Sequence, residues 1–163
     1  MTTNSDVHSA ADSGPRAISV GKYFVLTAIL AFVAASAAYT SVLLTLPTWA
    51  MFMGWVSYFT RRPSILEGLR SLGCVVAGLC LGAIATMLIG GGLPILGRFA
   101  FPLVVFCVAF LVLGTRALPH FNNLLGYFIG LITFFASHLP AEPESVVMLA
   151  SSASLGSIAG WAA

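Results

Sequence analysis

Ser57 and Thr133 stand 76 positions apart, each a small hydroxyl inside an otherwise apolar stretch. On a helix, positions i, i+4, i+7 and i+11 share a face. Counted that way, Ser57 belongs to a stripe of Ala50, Gly54, Ser57 and Arg61, and Thr133 to a stripe of Gly126, Gly130, Thr133 and Ser137. Phe52, Trp55 and Phe59 flank the first; Phe128, Leu131 and Phe135 flank the second. Small side chains leave room, and hydroxyls can replace one or two of a solute's hydrogen bonds to water. Facing each other, two such stripes would make a narrow path with aromatic walls, Tyr58 and Phe134 among them. The commoner use of such stripes in membranes is packing: small residues let helices approach closely, and a Ser or Thr hydroxyl bonds to a backbone carbonyl. Both uses fit one helix at different levels.

Other reactive side chains are few. Cys74, Cys80 and Cys107 lie in apolar stretches and in no ligand spacing, as expected of buried thiols acting as small hydrophobes. His120 and His138 bracket the Thr133 stretch; solvation at a membrane edge is the ordinary role of such a histidine, and a pH-sensitive gate the functional one. Asn122 and Asn123 stand where a helix cap would. The sequence carries no phosphate-binding glycine loop, metal-ligand cluster or Ser-His-Asp arrangement. No metal or cofactor is therefore expected, and an enzyme is the least favoured class. No basic cluster is large enough for nucleic acid.

The elements that hold these residues follow from composition. Of 163 residues 59% are hydrophobic and 7% charged, with a mean hydropathy of +1.01. A soluble domain carries about 25% charge. Residues 23–60, 71–97 and 99–115 contain no Asp, Glu, Lys or Arg. Runs of 18 or more such residues are transmembrane candidates, because about 20 helical residues cross a ~30 Å hydrocarbon layer. The pattern predicts an all-α polytopic membrane protein with six segments, residues 23–44, 48–60, 71–89, 99–115, 122–137 and 145–162. Pro47, Arg61-Arg62-Pro63, Gly90-Gly91-Gly92 with Pro94, Pro119, and Pro140 with Pro143 separate them. No charged side chain falls inside any of the six. That argues against a proton antiporter, a pump or an ion-selective pore, which keep charge at depth.

If all six segments cross and the N-terminus is cytoplasmic, Arg16, Lys22, Arg61, Arg62, Arg70 and Arg116 lie inside and only Arg98 outside, as the positive-inside rule requires. Segments two and five are short, but turning them back would move Arg61, Arg62 and Arg70 outside and largely remove that bias. Trp49, Trp161 and Tyr23 suit the interfacial aromatic belts. Residues 1–20 are expected to form a polar, disordered cytoplasmic tail, followed by a single membrane domain over 21–163. Ala35-Ser36-Ala37 resembles a signal-peptide cleavage site, but the apolar run continues past it to Leu46.

FMGWVSYFT at residues 52–60 is echoed by FIGLITFFA at 128–136. Gly21-Lys22-Tyr23 is echoed by Gly97-Arg98-Phe99, and Gly78-x-x-x-Gly82 by Gly156-x-x-x-Gly160. Three landmarks in one order at nearly constant spacing predict a 3+3 repeat, residues 21–90 and 97–163. An odd number of crossings per copy inverts the second, a recurring transporter plan with its site near the midplane. Lys22 and Arg98 strain this plan, since equivalent residues would face opposite sides. The Gly78/Gly82 and Gly156/Gly160 pairs are expected at close helix contacts within the bundle or between subunits.

The run Trp49-Ala50-x-Phe52-x-Gly54-x-x-x-Tyr58-Phe59, with the length and the six-segment layout, resembles the YcdZ-like bacterial inner-membrane proteins, a domain of unknown function numbered 1097. The likeness covers most of the chain from about residue 22; the polar N-terminal tail departs from the family pattern. It implies a multi-pass protein of the bacterial plasma membrane, and it brings no substrate or site residues.

From the residues themselves, the first functional expectation is a passive channel or facilitator for a small neutral polar solute. Ala50, Gly54, Ser57, Tyr58, Gly126, Gly130, Thr133 and Phe134 would line its path, and association into a homo-oligomer would enlarge it. The alternative is a structural or accessory subunit of a membrane complex, without transport of its own. The expected partners are therefore the lipid bilayer, further copies of the chain and a small neutral solute, with no nucleic acid.

Overall fold

The computed structural model describes residues 20–92 and 94–163, and within them every regular element is helical. The tail expected at residues 1–20 lies outside this range except for Val20. Six α-helices follow in order: α1 (Val20–Leu43), α2 (Thr48–Tyr58), α3 (Ile65–Met87), α4 (Ala100–Gly114), α5 (Leu124–Ser137) and α6 (Pro143–Ala162). Four spans are long and apolar enough to cross a membrane: Val20–Leu43, Ile65–Gly91, Gly97–Ala117 and Pro143–Ala162. The chain is thus an integral membrane protein of apolar helices. α2 and α5, with 11 and 14 residues, reach only about 16 and 21 Å at 1.5 Å per residue.

One boundary differs by more than a turn, and its cause is local. α3 starts at Ile65 rather than at residue 71, because Ser64 caps it: the Ser64 hydroxyl accepts a hydrogen bond from the Glu67 amide at 3.1 Å. Ser followed three residues later by Glu is a helix-start signature. Its consequence is that Glu67 and Arg70 stand on the helix, against the expectation that no charged side chain falls on a segment. At the other end α3 loosens into a π-turn, Leu88–Gly92. Gly97 adopts φ 48° in the break before α4, a left-handed conformation that glycine takes without steric cost. Gly21, its counterpart in the expected repeat, lies inside α1, so the two segment heads are built differently.

Two helix pairs make the centre: α2 lies along α6, and α3 along α5. Val75, Leu79 and Ala83 of α3, Leu149 and Ala153 of α6, Ala50 of α2, and Ile129 and Phe134 of α5 fill the space where the pairs meet. α1 closes one flank through Ala37 against Met51 and Ala159. α4 closes the other through Val112 against Cys74, Tyr127 and Leu131. These outer helices bury little else. Phe24, Phe32 and Tyr39 of α1 and Phe101, Phe106 and Phe110 of α4 are exposed, as suits side chains in lipid or against another helix. The cysteines divide the same way. Cys74 is buried as expected, whereas Cys80 and Cys107 lie on the outer surface, where apolar lipid asks no burial of a thiol.

Candidate functional site

The Ser57 and Thr133 hydroxyls are both fully buried. Ser57 Oγ donates to the Gly54 carbonyl at 2.8 Å, and Thr133 Oγ1 to the Ile129 carbonyl at 2.7 Å. Each hydroxyl is thus satisfied inside its own helix, as is common for Ser and Thr in apolar surroundings. The glycines of the two stripes are turned to other helices: Gly54 to α6, Gly126 and Gly130 to α3.

Glycine makes those contacts possible. A Cβ at Gly54 would fall 1.9 Å from the Ala153 carbonyl oxygen, and one at Gly156 would fall 1.8 Å from that of Met51. A Cβ at Gly130 would fall 2.1 Å from the Val75 oxygen, and one at Gly78 2.2 Å from that of Tyr127. Backbone therefore rests on backbone along both pairs, with no space for a side chain. The correspondence is residue by residue: Met51 and Gly54 stand 76 positions before Tyr127 and Gly130, and Ala153 and Gly156 stand 78 after Val75 and Gly78.

One turn further along, both seams end on an aromatic ring. A Cβ at Gly160 would meet Cβ of Tyr58 at 3.0 Å, and one at Gly82 would meet Cβ of Phe134 at 2.8 Å. Gly78, Gly82, Gly156 and Gly160 accordingly all serve contacts within one copy of the chain.

A polar joint that the residue types did not announce ties α2, α3 and α5 at one end of the bundle. Asn123 is 7% exposed. Its Nδ2 donates to Thr60 Oγ1 at 2.7 Å and to Ser71 Oγ at 2.8 Å. Both hydroxyls donate in turn to the Ser57 carbonyl at 2.6 Å, and Asn123 Oδ1 accepts from the Gly126 amide at 3.2 Å, which caps α5. Every polar atom of the cluster has a partner, the condition under which such a group is tolerated in an apolar interior. Just outside it, Arg61 and Arg70 pair with the two oxygens of Glu67, and Arg61 also donates to Asn122 Oδ1. The signals were present as Ser64-x-x-Glu67 and as paired asparagines. What the sequence did not display was that three helices bring them to one place.

At the opposite end, Ser152 of α6 donates to the Pro47 carbonyl at 2.7 Å and fastens the start of α2. His138, at φ 52°, is the C-cap of α5; it is exposed, as is His120. No group of three metal-ligating side chains occurs among the described residues. The arrangement is one of packing and anchoring: short central helices locked by glycine seams, with the hydroxyls of Ser57, Thr60, Ser71, Thr133 and Ser152 and the amide of Asn123 satisfied internally.

No curated protein and no solved structure matches the chain. A family match covers residues 17–163, and the chain belongs to that family, described as protein of unknown function DUF1097.

Proposed function

We propose that this membrane protein is a structural or accessory subunit, acting by association with other membrane helices rather than by passing a solute. The observation that supports this most is the filled centre. Where the two helix pairs meet, Val75, Leu79, Phe134, Leu149 and Ala153 pack together, and the hydroxyls of Ser57 and Thr133 are committed to their own helices. The outer faces of α1 and α4, with their exposed aromatic side chains, are the surfaces for association, either with a second copy or with a partner subunit. In this reading the protein is a homo-oligomer in the bacterial plasma membrane, with all six helices inserted, both termini cytoplasmic and no catalytic activity.

The second reading, a passive pathway for a small neutral solute, draws support from the matched glycine seams. Equivalent contacts at α2–α6 and α3–α5 are what two copies of an inverted three-helix unit would make, and that plan recurs in transporters. The path would then open where the two pairs separate, past Ser57, Tyr58, Thr133 and Phe134. Stopped-flow light scattering on proteoliposomes with urea, formamide, glycerol and water separates the readings. No permeation above protein-free vesicles is expected. Fast permeation of one solute, altered by Ser57→Ala with Thr133→Val in protein that remains folded, would overturn the accessory role and establish the pathway.

A further inference from the structure

A groove of about 310 Å³ lies between α3 and α6 beside the end of α2. Leu69, Leu72, Ile158 and Trp161 give it apolar walls, and Tyr58 and Ser157 also line it. Tyr58 is 5% exposed and Ser157 7%. Neither hydroxyl has a hydrogen-bond partner among the described residues, and neither oxygen is shut away from the outside, so two otherwise buried side chains leave their donors open to an apolar groove. The tyrosine is held there from two sides. A Cβ at Gly160 would meet its Cβ at 3.0 Å, and a Cβ at Gly68 would meet its ring Cε2 at 2.7 Å. With the ring clamped between α6 and α3, the phenol oxygen is the part left to the groove. The matching position at the other seam is Phe134, which has no hydroxyl.

The groove lies at the end of the bundle where α2 stops and α3 begins, the stretch that carries Arg61, Arg62 and Arg70. Arg61 and Arg70 are engaged by Glu67. Arg62, three residues before Ile65 of the groove wall, is exposed and has no acidic partner among the described residues. Trp161, 55% exposed, suits the membrane–water boundary, where Trp is enriched. An occupant must therefore combine an apolar body, hydrogen-bond acceptors near its polar end, and a negative charge beyond them. A glycerophospholipid has these in that order: acyl chain, ester carbonyls, phosphate.

We propose that this groove is a binding site for one anionic glycerophospholipid, whose acyl chain lies between α3 and α6. The hydroxyls of Tyr58 and Ser157 donate to its ester carbonyl oxygens, and Arg62 meets its phosphate and anionic headgroup.

Native mass spectrometry of the purified full chain, titrated with phosphatidylglycerol and in parallel with phosphatidylcholine, tests this. One phosphatidylglycerol per protomer should be retained. Tyr58→Phe with Ser157→Ala should weaken both lipids alike by about tenfold, the worth of two hydrogen bonds. Arg62→Gln should abolish the preference for phosphatidylglycerol while sparing phosphatidylcholine. Leu72→Trp, which fills the groove, should remove the bound lipid. Equal retention by the wild type and the double variant, with unchanged thermal stability, would overturn the site. So would a protein dimer that Leu72→Trp alone dissociates, which would assign the groove to a second copy of the chain.

Discussion

Gly78 and Gly130 face each other across the α3–α5 seam so closely that a Cβ on either would lie 3.0 or 2.9 Å from the other's Cα. Overpacking a well-filled interior costs about 1–3 kcal/mol where side chains can shift. Here the obstacle is backbone on both sides, so neither partner can rotate away.

Gly78→Ala and Gly130→Ala should therefore each destabilise the protein at or above the top of that range, about 3 kcal/mol. Gly54→Ala and Gly156→Ala should do the same at the α2–α6 seam. Gly114→Ala, at the open end of α4 with nothing within 4 Å of the added carbon, should be neutral or stabilising by up to about 1 kcal/mol. Denaturant titration of the purified protein in detergent, followed by circular dichroism, distinguishes the two groups. Equal midpoints would mean that the seams are not as tight as described.

Asn123→Ala should cost about 1–3 kcal/mol, because it strips Thr60 and Ser71 of a shared donor and uncaps α5 in a buried place. Amide exchange read by mass spectrometry offers a local check. The segment containing Gly126 should exchange faster in the variant, while the middle of α6 should not change.

Glu67→Gln should have only a small effect on stability, since the three side chains of the ion-pair group are partly open to solvent and the pairing is screened there. Any loss should be largest in low salt and vanish at high ionic strength. A large, salt-independent loss would show that the pairing is shielded.

The three cysteines should respond differently to replacement. Cys80→Ala and Cys107→Ala, on the outer surface, are expected to stay within about 0.5 kcal/mol of the wild type. Cys74→Leu should cost about 1–3 kcal/mol, because Cys74 is packed among Val112, Tyr127 and Leu131 and its Cβ already crowds the position of Gly126. Thermal denaturation of single variants decides it.

Much of the fold was legible in the sequence because apolar runs and turn residues act locally. Helix number, order and the shortness of α2 and α5 follow from where charge stops and proline intervenes. The repeat spacings of 76 and 78 also anticipated which glycines occupy equivalent contacts. What was not legible is which helix each small stripe touches. Ala50-Gly54-Ser57 has the same composition whether it meets its partner stripe or α6, and only the tertiary arrangement chooses. The polar joint was hidden for a similar reason: Thr60, Ser71 and Asn123 are each unremarkable in their own segments. The early start of α3 was recoverable, since Ser64 and Glu67 form a local cap, but Arg61, Arg62, Glu67 and Arg70 together have the composition of a loop.

The nested pairing of the helices bears on how the chain is made. α2 is laid against α6, the last of the six helices to leave the ribosome, and α3 against α5, so each seam joins an early helix to a late one. During synthesis the glycine faces of α2 and α3 must wait in the membrane without their mates, exposing notches sized for a helix backbone. The first half on its own is then an unfinished object, open to lipid, to an insertion chaperone, or to the second half of a neighbouring copy.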